Sequence, residues 1–231
     1  EQIADKLLEL GVEAVAVSLL WSFRNPKHEQ YVRDYLLSRN PNWFISLSSE
    51  LSPVIGEYER TATTAINAFL SKKTKSYLID LESGLSEAQY AKEPLVMKSS
   101  GGITSIAQAM ETPVALLTSG PAGGVNGALS LSKMMGHRNV LTTDVGGTSF
   151  DVGMIVGGEP VLAESPVFDQ YHVTYPMIDV VSIGAGGGSI AWIQPDTGLL
   201  KVGPKSAGAL PGPVCYGRGG TLPTVTDANL V

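Results

Sequence analysis

Asp144-Val145-Gly146-Gly147-Thr148-Ser149-Phe150-Asp151-Val152-Gly153 is the stretch on which the fold of this chain turns. The β-branched and apolar run Val140-Leu141-Thr142-Thr143 leads into an acid, two glycines and two hydroxyls, after which Phe150, Val152, Met154, Ile155 and Val156 resume a strand. That order predicts a β-hairpin with a Gly-Gly turn. Glycines at a hairpin tip let backbone approach a ligand closely and leave N–H groups to point at it. Thr148 and Ser149 add hydroxyl donors, and Asp144 stands where a carboxylate can hold a hydrated Mg²⁺. Backbone donors, hydroxyls and one acid suit a phosphate group. A plain Gly-Gly corner beside a helpful acid reads the same residues equally well on this segment alone.

Outward from the hairpin, the chain alternates helix and strand. Residues 1–10 have helical spacing, with Gly11 as a C-cap, and Val12–Leu20 is an apolar run that fits a buried strand. A helix from Asn25-Pro26 to the Asn40-Pro41 break and a strand over Phe44–Leu47 follow. This is an α/β pattern. Tyr58, Ala62, Ala65, Ile66, Phe69 and Leu70 place a long helix over Glu57–Ser76. Then come a strand over Leu95–Lys98, a turn at Ser99–Gly102, a short helix over Thr104–Met110 and a strand over Val114–Thr118. Ser119–Ala128 reads as a Gly-rich turn opening a helix that runs to Met135; such a turn suits an anion, or close helix–strand packing. Beyond the hairpin, Val180–Ile183 is a strand entering Gly184-Ala185-Gly186-Gly187-Gly188-Ser189, Ile190–Ile193 a further strand, and 203–227 an ordered loop.

Composition narrows the function. With 43% apolar and 16% charged residues over 231 positions, the chain is globular and long enough for a sizeable core. A net charge of -6 with no basic run argues against nucleic acid. No apolar run approaches a membrane span and the N-terminus lacks signal-peptide character, so a cytoplasmic setting is expected. The lone Cys215 forbids an internal disulfide, favours a reducing compartment and is expected to be a small buried thiol. The first residue is Glu, so a piece of a longer chain is expected. Walker-type, H-E-x-x-H, paired-Cys and G-x-S-x-G patterns are all missing. Gly184–Ser189 fails the dinucleotide pattern, because Ser189 takes the last glycine's place and a strand follows; a glycine wall against a nucleotide base or ribose is left open. His28 and His137 are expected to be solvated. His172 lies between Asp169 and Asp179, beside Tyr171 and Tyr175; a metal or proton-donor role competes with simple pairing to a neighbouring acid.

Taken together, five segments resemble the hydantoinase/oxoprolinase A family, in the family's order: Ser119–Val125, Asp144–Val152, Ile183–Ala191, Pro211–Gly217 and Pro223–Leu230. The resemblance covers most of the chain after about residue 95; residues 1–90 match more diffusely. It implies an actin/sugar-kinase/Hsp70-like (ribonuclease H-like) ATPase fold of mixed sheets with flanking helices. Residues 1–56 would end a first lobe, 57–93 would connect, and 94–231 would form a second lobe. The family's other phosphate hairpin has no counterpart in these residues, so the first lobe is expected to be incomplete and the fragment inactive by itself. The implied cofactors are ATP and Mg²⁺. Asp144 would orient the metal, Gly146, Gly147, Thr148 and Ser149 would bind phosphate, and Gly186, Gly187 and Gly188 would flank the nucleoside. Asp144, Asp151 and His172 are the implied catalytic candidates. The implied reaction is ATP-dependent opening of a cyclic amide such as a hydantoin or 5-oxoproline, with ketone carboxylation or a non-catalytic nucleotide-binding role as alternatives. A second, distinct subunit is the implied partner.

Overall fold

The computed structural model describes residues 2–231. In chain order its elements are α1 (Gln2–Glu9), β1 (Ala14–Val17), α2 (Lys27–Arg39), β2 (Phe44–Leu47), α3 (Ser48–Leu51), α4 (Glu57–Glu87), β3 (Leu95–Met97), β4 (Ile103–Ser105), α5 (Ile106–Glu111) and α6 (Ser119–Met135). There follow β5 (Val140–Val145), β6 (Phe150–Val156), β7 (Glu159–Pro160), β8 (Val167–Phe168), β9 (Tyr171–His172), β10 (Val180–Ile183), β11 (Ser189–Ile193), β12 (Leu200–Ser206) and α7 (Val225–Leu230). The chain divides into two compact units, one of residues 1–123 with 162–177, the other of 124–161 with 178–231. The long helix α4 thus belongs wholly to the first unit, and the change of unit falls at Gly123, inside α6.

In the first unit, α1 ends as its sequence demands. Gly11 takes φ +64°, its N–H donates to Leu8 O, and the Val12 N–H donates to Leu7 O. That is a Schellman closure, which only a residue at ease with positive φ allows cheaply. β1 and β2 pair in parallel (Ala14 opposite Phe44), with α2 as the crossover. Ala4, Val17, Leu36, Trp43 and Leu47 form one core cluster; Ile66, Val114, Val173 and Met177 form another. Burying each large apolar side chain contributes about 1.5–3 kcal/mol. Helix α4 runs eleven residues past the expected Ser76, to Glu87. Its last turns are mostly exposed, apart from the fully buried Leu78, so the apolar period that marked its start fades before the helix ends.

Val114–Thr118 is not a strand. Pro113–Leu116 is a short 3₁₀ turn, fully buried at Val114 and Ala115. Pro113 presets a helical φ at its start and Asn67 Oδ1 accepts the Val114 N–H at 3.0 Å, so the apolar run is buried as a turn. The Gly-rich turn expected before α6 is likewise helix: Gly120, Gly123, Gly124 and Gly127 lie within α6.

In the second unit, β5 and β6 form the expected antiparallel hairpin, with β10 on the far side of β6 and β7 also pairing with β6. Gly153 on β6 is required by packing. A Cβ there would lie 2.9 Å from Thr142 Oγ1 and would collide with the Val125 side chain. Thr142 fills the space, its Oγ1 accepting the Gly153 N–H and donating to the Gly153 carbonyl, each at 3.1 Å. The segment 203–227 is loop over most of its length, entered from β12, which pairs with β11, and left through α7, which starts at a capping box of Thr224 and Asp227. Among the described residues no helix is long and apolar enough to cross a membrane.

Candidate functional site

The hairpin places Asp144 directly opposite Asp151 in the β5–β6 register. Side chains so paired stand roughly 5 Å apart at Cβ, and like charges there repel unless something intervenes. The two acids differ in what holds them. Asp151 Oδ2 accepts a hydrogen bond from Ser149 Oγ at 3.2 Å, and its Oδ1 accepts a short one from Ser182 Oγ on β10. Asp144 is exposed, and among the described residues no side chain or amide donates to its carboxylate. One acid is clamped by hydroxyls; the other is available to a cation.

The tip between them is closed by a single turn bond, from the Gly146 N–H to Ser149 O at 2.9 Å. Gly147 and Thr148 are exposed, and among the described residues neither of their amides is taken by a carbonyl of the chain. These two amides and the Thr148 hydroxyl are the donors of the tip that the described residues leave unused. Ser149, expected to serve a phosphate, instead gives its hydroxyl to Asp151.

The second glycine motif sits on this tip, which no local pattern predicted. The Gly187 N–H donates to Gly146 O at 2.9 Å and the Gly188 N–H to Gly147 O at 2.6 Å. A Cβ at Gly186 would lie 2.6 Å from both N and C of Thr148, and one at Gly188 would lie 2.8 Å from Gly147 O. Such distances are inside van der Waals contact, so Gly186 and Gly188 are glycine because backbone lies against backbone. The two glycine motifs thus lie together in the second unit. The amides of Gly187 and Gly188, however, are spent on the hairpin and not left for a nucleoside.

Behind this loop stands a residue that the sequence reading did not single out. Asp227 accepts hydrogen bonds from the N–H of Cys215 (2.7 Å), Val214 (3.2 Å) and Thr224 (2.8 Å) and from Thr224 Oγ1 (2.8 Å). Burial opposes its charge, yet the bonds from Cys215 and Thr224 outweigh that and hold the carboxyl far below the usual range. A Thr three residues before an acid at the start of an apolar helix was its available signal. Cys215 is exposed, correcting the expected buried thiol, and its hydrogen bond with Asp227, together with partial desolvation, pushes the thiol up.

His172 belongs to the first unit, on β9, where it is exposed and its Nδ1 lies 2.9 Å from Ser165 Oγ. Among the described residues no three His, Cys, Asp or Glu side chains stand close enough to share a metal. A cation at the hairpin would therefore be held by Asp144 together with water and phosphate oxygens, the manner in which Mg²⁺ is ordinarily bound.

Against known proteins, the sequence model of the family described as Hydantoinase/oxoprolinase matches residues 60–231. Caprolactamase subunit alpha of Pseudomonas jessenii is 42% identical over 226 residues, which are 98% of this chain and 32% of that protein. 5-Oxoprolinase 1 of Arabidopsis thaliana is 36% identical over 97% of this chain and 17% of its own length. Among solved structures, the ATP-dependent caprolactamase from Pseudomonas jessenii superposes with a TM-score of 0.79 at 41% identity, over 98% of this chain and 33% of that one. A nucleotide-free acetone carboxylase, from work on ATP-dependent acetone carboxylation, superposes with a TM-score of 0.80 at 32% identity, over 99% of this chain and 32% of that one. The α/β, ATPase-like fold is shared with both structures. The chain spans about a third of the caprolactamase subunit and less than a fifth of 5-oxoprolinase 1.

Proposed function

We propose a function from one premise: the chain belongs to the Hydantoinase/oxoprolinase family. The protein of which these residues are part is an ATP-dependent hydrolase subunit that opens a cyclic amide. Identity of 42% to a caprolactamase subunit supports an amide ring as the substrate class. The observation that carries the nucleotide part is the contrast at the hairpin, where Asp151 is clamped by two hydroxyls and Asp144 is left open beside exposed amides.

An amide is a poor electrophile because nitrogen donates into the carbonyl. Transfer of the γ-phosphoryl group of ATP to the amide oxygen, releasing ADP, makes the ring carbon open to water. Water adds, the C–N bond breaks with the nitrogen taking a proton, and a second water releases phosphate from the resulting acyl phosphate. The protein's task in such transfers is positioning and charge stabilisation. Gly147 and Thr148 offer N–H donors, and Thr148 a hydroxyl, to the transferring phosphoryl group. Asp144 would hold Mg²⁺, which supplies charge neutralisation at the phosphates. Asp151 keeps the tip in shape through Ser149 and Ser182. Relatives named as subunits, such as caprolactamase subunit alpha, support a second distinct subunit as partner.

Likeness to an acetone carboxylase keeps ketone carboxylation as the competing reaction, since an enolate oxygen can take the same phosphoryl group. A panel of lactams, hydantoin and 5-oxoproline against ketones with bicarbonate, scored on the full-length protein, separates the two. Asp144→Asn in that protein is expected to cut substrate-dependent phosphate release by orders of magnitude, because the lost charge acts on the transition state. Undiminished release would remove the metal role.

A further inference from the structure

We propose that Thr226 and Asp227 are positioning residues that set the shape of the phosphate-binding tip, acting through Gly187; this rests on the reading of the hairpin as a nucleotide grip. The tip is two glycines and two hydroxyl residues, with a single turn bond of its own. Glycine gives close approach, but a glycine turn held by one bond is conformationally loose. Its carbonyls at 146 and 147 are pinned by the amides of Gly187 and Gly188. What pins Gly187 is Thr226, whose N–H and Oγ1 both donate to Gly187 O, at 2.8 and 2.9 Å. Thr226 in turn is placed by the start of α7. There the Thr224 hydroxyl accepts the Asp227 N–H while the Asp227 carboxylate accepts the Thr224 N–H, the reciprocal cap. The same carboxylate gathers the amides of Val214 and Cys215. From Asp227 to Gly146 the path runs along the first turn of α7 to Thr226 and then by hydrogen bonds through Gly187, all within the second unit, and all the motifs after residue 180 that resemble the family take part.

The chain of contacts has a direction of effect. Without the Thr226 hydroxyl, Gly187 O keeps one of its two donors and the loop gains freedom. Without the Asp227 carboxylate, the amides of Val214, Cys215 and Thr224 lose a common acceptor. Both changes loosen the tip without touching phosphate, so they weaken nucleotide binding more than they slow chemistry once nucleotide is bound.

The test uses the full-length protein and Mg-ATP, with binding read by calorimetry and turnover by phosphate release. Thr226→Val is expected to raise the Kd for Mg-ATP about tenfold, the effect of losing one hydrogen bond and leaving a carbonyl half satisfied. Turnover at saturating ATP should stay within about threefold, and Thr226→Ser should restore binding. Asp227→Asn should weaken binding at least as much, and should speed alkylation of Cys215 because the thiol loses its anionic partner. If Thr226→Val and Asp227→Asn bind Mg-ATP as the parent does while Asp144→Asn loses phosphate release, the positioning role is overturned and the grip stands. If all three bind and turn over as the parent does, the grip itself fails and the positioning role goes with it. A Thr226→Val protein that loses thermal stability but keeps its Kd marks the contact as structural only, which also overturns the proposal.

Discussion

Two tight segments of this protein are braced by opposite means. In the first unit, the loop over residues 18–25 is held by buried side chains. Glu29, fully buried on α2, accepts hydrogen bonds from the Leu19 N–H (2.8 Å), Ser48 Oγ (2.6 Å) and the Ser49 N–H (2.8 Å). Arg60, fully buried on α4, donates to Ser22 Oγ (2.8 Å) and Leu19 O (2.7 Å) and lies 5.4 Å over the Phe23 ring. Ser22 and Ser48 join the two charges at 3.1 Å. The network holds Trp21 exposed at φ +60°, a conformation that a bulky residue adopts only under constraint. In the second unit, the hairpin tip is braced by backbone against backbone and by missing side chains. Side-chain bracing tolerates bulk on the braced loop but desolvates charge. Backbone bracing puts no charge between the two loops but tolerates no Cβ where they touch, at Gly186 and Gly188.

That contrast can be broken from either side. The largest effect is expected from Glu29→Ala, which strands two amides, a serine hydroxyl and the buried Arg60. Denaturant unfolding should show a loss of about 3–5 kcal/mol, from donors left without their acceptor at about 1–3 kcal/mol each. Should Glu29→Ala cost less than Gly186→Ala, the charges are not what secures the loop. Next comes Gly186→Ala, whose new methyl meets Thr148 backbone that cannot swing aside; overpacking of this sort costs about 1–3 kcal/mol. Gly147→Ala is the control, because nothing lies within 4 Å of a Cβ there. Equal losses in the two glycine variants would refute the backbone brace.

The smallest effect is a pH slope that belongs to the first unit's brace. Burial raises the Glu29 carboxyl, but its bonds from Ser48, Ser49 and Leu19 outweigh burial and leave it below its ordinary 4.5. A carboxyl lowered by folding stabilises fully above its unfolded value and loses that contribution as pH falls through the folded value. Stability measured at about pH 5.5 and about pH 3 should therefore drop, and Glu29→Gln should flatten part of that drop. An unchanged slope in Glu29→Gln would assign the acid sensitivity to other carboxylates, Asp227 among them.

Much of the fold was legible along the chain. Gly11, the Asn40-Pro41 break and the Gly-Gly turn each mark an element end by local backbone chemistry, and α1, α2, β2 and the β5–β6 hairpin lie where those marks put them. Legibility failed where burial outweighed local preference. Val114 and Ala115 look like a strand because they are apolar, yet they are buried in a 3₁₀ turn that Pro113 starts and Asn67 caps. Cys215 looked like a core thiol, but its amide is drawn to Asp227, a carboxylate twelve residues away, and its side chain stays at the surface. For the candidate site, the acid–glycine–hydroxyl order of the hairpin was readable. The difference between Asp144 and Asp151 was not, because Ser182 reaches Asp151 from another strand.

The sequence by itself determined that a glycine hairpin carries two acids and two hydroxyls, and that further glycine and threonine motifs follow it in a recognisable order. These are properties of covalent spacing and local φ/ψ cost. Only the tertiary structure decided that Gly186–Gly188 lie on the hairpin tip, that Thr226 and Asp227 stand behind them, and that one of two facing acids is left open. Those outcomes depend on which donor meets which acceptor between segments distant in the sequence, and spacing along a chain carries no information about that until packing brings the groups together.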